Sequence, residues 1–196
     1  MGTVTKKTGN SATQAHSLAV RQMETPLGTF TLLVDGDAVR GAGFTADVDE
    51  MIRIAGVDAA SVRRDGRSVD DSHPAIAAVQ AYFEGDLRAV DKVAVIDRPR
   101  VGPFTKAARE ALRAIPPGTT LSYTQLAAEA GNVRAVRAAG AACASNPVAL
   151  IVPCHRVVRT DGSLSGYLYG LEIKQRLLDY EAAGVRHGAD AGEKEK

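Results

Sequence analysis

Tryptophan is absent from the 196 residues, and there are only two cysteines, Cys143 and Cys154. Two thiols are too few for a disulfide framework or a four-cysteine zinc site, and their spacing fits neither, so both are expected to be reduced. No apolar run reaches the roughly eighteen residues of a membrane-spanning helix, which excludes that class. The polar, lysine-containing start also lacks the apolar core of a signal peptide, and a cytoplasmic protein, nuclear in a eukaryote, is the expectation. With 45% apolar and 24% charged residues the composition is that of an ordinary globular chain, which excludes the disorder-dominated and fibrous classes.

Net charge is nearly absent too, at +1, but the balance is uneven. Residues 101–160 carry seven Lys and Arg against two Glu, whereas residues 1–100 carry twelve basic against fourteen acidic side chains. A basic half is what a phosphate-backbone partner requires, and an ordinary solvated face is the competing explanation.

What is present divides into two halves. Val20 to Glu24, Thr29 to Val34 and Ala38 to Phe44 read as strands of an antiparallel meander, separated by Thr25-Pro26-Leu27-Gly28 and Asp35-Gly36-Asp37. Helical possibilities near Asp49 to Ala55 and a charged loop, Arg63 to Arg67, come next. His73-Pro74 then opens a helix carrying Ile76, Val79, Tyr82 and Phe83 on its apolar side, and Val93 to Ile96 adds a short strand. Asp97 to Gly102 reads as a linker. The expected class is therefore α+β, with a small N-terminal α/β domain containing an antiparallel sheet (18–97) and a helical C-terminal domain containing a helix-turn-helix (98–183). Disordered ends are expected at 1–17 and 184–196.

In the back half, Phe104, Ala107, Ala108, Ala111, Leu112 and Ile115 recur at helical spacing until Pro116-Pro117-Gly118. Ser122 can cap a short helix, Tyr123 to Ala130, and Gly131-Asn132 separates it from a third helix beginning near Val133. Helix, glycine-containing turn, helix is the helix-turn-helix pattern. Val136, Ala139, Gly140 and Cys143 share one face of the third helix, which makes Cys143 a core thiol. The opposite face carries Arg134, Arg137, Ala138, Ala141 and Ser145, a smooth basic surface suited to DNA or simply to water.

Asn146-Pro147 ends that helix and hands the chain to Ile151-Val152-Pro153-Cys154-His155-Arg156-Val157. A thiol beside a basic group is a candidate nucleophile, and Pro153 limits the backbone just before it. The competing reading is a buried structural Cys beside an exposed His. In a final helix from Leu171 to Ala183, Lys174 and Glu181 fall on one line between two apolar stripes, Ile173/Leu177/Tyr180 and Leu171/Leu178. Glu181 either finds a histidine partner or pairs with Lys174 at the rim.

Phe104 to Glu181, through Ser122-Tyr123, Arg137, Asn146-Pro147, Pro153-Cys154-His155-Arg156-Val157 and Gly166-Tyr167, resembles the O6-alkylguanine-DNA alkyltransferases (methylated-DNA–protein-cysteine methyltransferases). Glu24 to Gly28 and the strand after it are similar, more weakly, to the family's small N-terminal domain, and Val157 to Tyr167 is similar to the bacterial adaptive-response branch. The resemblance implies repair by irreversible transfer of an alkyl group from O6-alkylguanine in DNA to Cys154, with O4-alkylthymine a second candidate substrate, the protein being used once per lesion. It implies His155 as base through a water, Glu181 as the group orienting the imidazole, Arg137 as a finger entering the duplex, and Tyr123 as the residue that rotates the target phosphate. Asn146 would hold the turn, and Tyr167, Val157 and Pro153 would line the pocket. Arg134, Ala138 and Ser145 would face DNA. No cofactor and no metal are implied, and the expected partner of a monomer with no membrane attachment is double-stranded DNA containing alkylated guanine. The chain departs from the family at Ala107-Ala108-Arg109, where an aromatic is usual, at Pro117, and at Leu168-Tyr169 beside the pocket. A Cys-His hydrolase would explain the thiol but not the helix-turn-helix; a non-catalytic lesion binder on the same scaffold would lack the cysteine.

Overall fold

The computed structural model describes the backbone of residues 18–64 and 69–192, with side chains through Val185. The expected disordered start, most of the charged loop before Val69 and the last four residues lie outside it. Strands β1 (Leu18–Thr25), β2 (Gly28–Asp35) and β3 (Ala38–Gly43) form the expected meander. The sheet is not wholly antiparallel, however. Its edges are β4 (Val62–Arg63), parallel to β1, and β5 (Ala94–Val95), parallel to β3, in the order β4-β1-β2-β3-β5. Each edge strand returns after a helical crossover, which permits the parallel pairing that a tight hairpin cannot give.

Helices cover both faces, so β2 is buried on both sides through Phe30, Leu32, Leu33 and Val34. Helix α1 (Val48–Ala55), capped by Asp47, sets Met51, Ile52 and Ala55 against Leu33. It lies close because β3 has Gly41 at the contact: a Cβ there would stand 3.0 Å from both Ala55 Cβ and Met51 Sδ. Helix α2 (Pro74–Phe83) covers the other face with Ile76, Val79 and Tyr82. His73 anchors its start, taking the Ala75 N–H at Nδ1 (3.2 Å) and donating from Nε2 to the Gly36 carbonyl (2.9 Å).

The back half contributes α3 (Pro103–Ala114), β6 (Leu121–Ser122), α4 (Tyr123–Glu129), α5 (Val136–Ala144), β7 (Val157–Val158) and α6 (Leu171–Gly192). Ser122 opens α4 with a capping box, exchanging hydrogen bonds with Gln125. β6 and β7 pair in parallel and fix the α4 end against the cysteine segment.

Two expected helix boundaries move. Helix α5 starts at Val136 rather than near Val133, because Asn132 holds a turn: its side chain accepts the Arg134 N–H at 3.1 Å and its carbonyl accepts Ala135 N–H at 2.9 Å. Helix α6 passes the expected end at Ala183 and runs to Gly192. No proline stops it, and the first of its glycines is used for packing: a Cβ at Gly184 would come within 2.9 Å of Leu87. Leu171, expected on an apolar stripe, is 47% exposed.

The halves are stitched together at β3. Ala42 donates to the Pro147 carbonyl (2.9 Å) and accepts from Ala149 N–H (2.8 Å), so the segment leading to Cys154 starts as one more rung of the sheet. One apolar cluster contains Phe30, Tyr82, Leu112, Leu126, Ile151, Cys154 and Leu177. Tyr169 closes the seam from the C-terminal loop: a Cβ at Gly43 would fall 1.9 Å from its hydroxyl oxygen, and its ring meets Phe44 edge-on. Gly43→Ala therefore forces the tyrosine out and should lower stability by about 1–3 kcal/mol in denaturant unfolding, the usual range for overpacking. Tyr169→Leu in the same chain should recover part of the loss.

Candidate active site

Asn146, 3% exposed, shapes the cysteine segment. Its Oδ1 accepts the Val148 N–H (3.1 Å), and its Nδ2 donates to the Val152 carbonyl (2.8 Å) and to Cys154 Sγ (3.2 Å). One amide thus ties the end of α5 to the thiol. Between these anchors Leu150 adopts a left-handed conformation (φ 70°), unusual for a branched side chain and held by its complete burial. Cys154 N–H bonds the Val152 carbonyl (2.8 Å), and Cys154–Arg156 form a single 3-10 turn. Burial raises the Cys154 thiol above its ordinary pKa, and the Asn146 hydrogen bond and the Lys174 charge offset this only in part. The resting group is a neutral thiol.

His155 is fully buried, which answers the alternative of an exposed histidine. Its Nε2 lies 2.9 Å from Glu181 Oε1. Burial alone would raise the Glu181 carboxyl, but the hydrogen bonds from His155 and Arg156 and the Arg156 charge outweigh it and hold it well below the usual carboxylate range. Facing an anionic acceptor, Nε2 carries the hydrogen, so Nδ1 keeps its lone pair; among the described residues Nδ1 has no hydrogen-bond partner. Burial also lowers the His155 pKa, more than Glu181 raises it, so the ring is neutral and able to accept a proton.

Glu181 accepts further bonds from Arg156 (Nε at 3.0 and 3.1 Å, Nη2 at 2.7 Å), from the Tyr82 hydroxyl (2.8 Å) and from Gly118 N–H (3.1 Å). Gly118 can present that N–H because φ is +74° and because a Cβ would come within 2.9 Å of Val185. Lys174 does not pair with Glu181 at a rim. Fully buried, it donates to the Val157 carbonyl (2.6 Å) and to the Ser165 carbonyl (3.3 Å).

Of the other expected site residues, Pro153 and Val157 are buried beside Cys154, and Tyr123 bonds Ser165 Oγ through its hydroxyl at 2.6 Å. Tyr167 and Tyr169 pack edge-on at 5.8 Å, and neither buried hydroxyl has a hydrogen-bond partner among the described residues. Arg137, Ala138 and Ser145 are exposed on or at the end of α5, and Arg134 is exposed in the turn before it. Cys143 is half-buried against the core, and burial pushes its thiol up.

Sequence reasoning missed the inward roles of Arg156, Lys174 and Tyr82, and it missed Arg109. Arg109 is 6% exposed, pairs with Asp97 and donates to the Ser145 carbonyl at the end of α5 (2.9 Å). Only the line of Lys174 and Glu181 between apolar stripes hinted at a buried polar network. Surface cavities of about 290 and 260 Å3 contain neither Cys154 nor His155; the second backs onto Asn146 and Val152. Among the described residues no three His, Cys, Asp or Glu side chains cluster as metal ligands, and no helix is long and apolar enough to cross a membrane.

Residues 103–183 match the model of the 6-O-methylguanine DNA methyltransferase DNA-binding domain. A methylated-DNA–protein-cysteine methyltransferase of Methanosarcina acetivorans is 44% identical over 106 residues, 54% of this chain and 65% of that protein. The bifunctional transcriptional activator/DNA repair enzyme Ada of Escherichia coli is 54% identical over 79 residues, 40% of this chain and 22% of its own length. The chain thus spans less than two thirds of these curated relatives. The crystal structure of Mycobacterium tuberculosis O6-methylguanine methyltransferase superposes with a TM-score of 0.66 at 30% identity, covering 85% of this chain and 93% of that one. The crystal structure of Mycobacterium tuberculosis OGT in complex with DNA superposes at a TM-score of 0.64 and 28% identity, over 85% of this chain and 94% of that one.

The lowered His155 pKa gives stability a pH dependence. Below its ordinary value of about 6.5 the unfolded chain binds a proton that the native ring does not, so this part of stability is intact above that pH and lost as pH falls. Glu181, also depressed, adds a second loss below about 4.3. Unfolding free energy should decline between about pH 7 and about pH 5.5 by up to about 1.4 kcal/mol per unit, and His155→Gln should flatten that slope. A flat wild-type profile would show that His155 is not held neutral.

Proposed function

Because the chain belongs to the 6-O-methylguanine DNA methyltransferase family, we propose that it repairs DNA by moving the alkyl group of O6-alkylguanine onto Cys154. The observation that carries this reading is a buried thiol, Cys154, held by Asn146 and followed in sequence by a buried histidine that is bonded to Glu181. The thiol proton passes to His155 Nδ1 through a water, and sulfur attacks the alkyl carbon in line. The carbon–O6 bond breaks, its electron pair stays on the guanine, and the base regains a proton as it leaves. The resulting thioether is stable, so each molecule acts once. The buried Tyr167 hydroxyl, without a partner among the described residues, is free to bond an edge of the base.

In this reading residues 18–97 and 98–183 act as two domains of a monomer, and α4 and α5 with their turn act as a helix-turn-helix on duplex DNA. An enzyme confronting a base inside a stack must extrude it, and exposed Arg137 is placed on α5 to fill the space left behind. Ala138, Ala141 and Ser145 keep the same face small enough for close approach to the backbone, with Arg134 contributing charge from the turn. Tyr123, at the first position of α4, would engage the phosphate of the extruded nucleotide.

Mass spectrometry of the intact protein after incubation with an O6-methylguanine oligonucleotide should show one added methyl, mapped to the Cys154 peptide and absent from Cys154→Ser. Methylation of Cys143 instead would overturn the assignment. Arg137→Ala should slow repair of duplex substrate roughly tenfold or more, about 1.4 kcal/mol of barrier, while reaction with the free base O6-methylguanine is little changed. Equal losses on both substrates would assign Arg137 to the fold instead of extrusion.

A further inference from the structure

We infer that Tyr82, on the α2 helix of the front half, is a positioning residue of the relay that sets how much of the Glu181 charge reaches His155. The inference rests on Cys154 being the alkyl acceptor, as proposed above.

Tyr82 is fully buried, and its hydroxyl donates to Glu181 Oε1 at 2.8 Å, the same oxygen that His155 Nε2 approaches at 2.9 Å. The phenol has no freedom to turn away. Its backbone carbonyl accepts the Tyr180 hydroxyl (3.0 Å), and its ring is held between Phe83 at 5.1 Å and Tyr180 at 5.7 Å. Burial and the neighbouring Glu181 push its pKa far above the ordinary value, so it remains a donor.

Arg156 also donates to this oxygen, from Nε and Nη2, so Tyr82, His155 and Arg156 divide its charge. When His155 takes the thiol proton, the imidazolium is stabilised by what Oε1 still offers, and the phenol removes a share of that. The other charges facing the relay are cations, Arg156 and Lys174 against His155, Lys174 and more weakly Arg109 against Cys154, and Arg156 against Tyr82; of these Lys174 is titratable, its pKa lowered by burial. The remaining titratable neighbours, Cys143, Tyr167, Tyr169 and Tyr180, are pushed upward by burial and stay neutral around neutrality. Tyr82 is therefore a neutral donor whose removal changes the relay's balance without stranding a charge.

The test is the pH profile of single-turnover methyl transfer from a duplex O6-methylguanine oligonucleotide, from about pH 5.5 to about pH 9.5. Tyr82→Phe keeps the ring and leaves Glu181 its bonds from His155, Arg156 and Gly118. It should move the midpoint of the rising limb, which reports ionisation of the Cys154 thiol, down by roughly half a unit, since more carboxylate charge then supports the imidazolium that takes the thiol proton. Glu181→Gln should move it up, His155→Ala should transfer slowest of all, and Tyr82→Phe with Glu181→Gln should match Glu181→Gln alone. Tyr180→Phe, which removes a neighbouring hydrogen bond without touching Glu181, should lower the melting temperature and leave the midpoint in place. An unchanged or raised midpoint in Tyr82→Phe, beside a wild type that transfers normally, overturns the role of Tyr82 alone. A wild type that gains no methyl on Cys154 overturns the acceptor reading beneath it.

Discussion

The structure turns on one buried carboxylate. Glu181 collects donors from α2, from the glycine turn after α3 and from the 3-10 turn that carries the thiol, partners 25 to 99 residues away in sequence. An ion pair in such a place adds little to stability over a well-packed apolar substitute, but removing one partner leaves an uncompensated charge at about 3–5 kcal/mol. Arg156 is committed further, since its Nη1 also holds the Ile115 carbonyl at 2.6 Å, the last residue before the turn. The carboxylate that orients the imidazole is thus also a junction of the fold. Variation at any of its partners acts on shape and on proton affinity together.

Buried and half-buried cations elsewhere serve backbone carbonyls that secondary structure leaves unsatisfied. Lys174 takes Val157 and Ser165, Arg109 takes Ser145, and Arg113 takes Asp91 and Val93. Of the seven basic residues in 101–160, Arg109, Arg113 and Arg156 work inside the molecule, leaving Lys106, Arg134, Arg137 and Arg159 exposed. The charge asymmetry in the sequence therefore overstates what is available to a phosphate backbone. Arg109 joins the segment after β5, through Asp97, to the end of α5.

Local signals were legible because they are local. The Ser122 cap, the Pro74 and Pro103 helix starts, the α3 stripe and the two hairpins each depend on residues within a few positions of one another. The adjacent Cys154 and His155, with Glu181 enclosed between stripes, were legible as chemistry. What spacing could not give was partnership across the chain. Tyr82 reads as one more apolar residue of its helix, and Arg156 as one more surface charge, until α6 brings Glu181 to both. The late start of α5 escaped for a different reason: Asn132 offers the backbone a side-chain alternative to a helical turn, and periodicity alone does not weigh that competition.

The rung between Ala42 and the Pro147–Ala149 segment has a consequence for the order of assembly. Closing a loop of over a hundred residues is entropically unfavourable, so contacts this distant form after the local hairpins and helices. The cysteine segment finds its template only once the meander exists, and its remaining ties, Lys174 and Glu181, are made late in the chain. During synthesis Cys154 leaves the ribosome well before these residues do, an unactivated thiol lacking its enclosing wall. The surroundings of the thiol are completed by α6 and not by the motif that carries it.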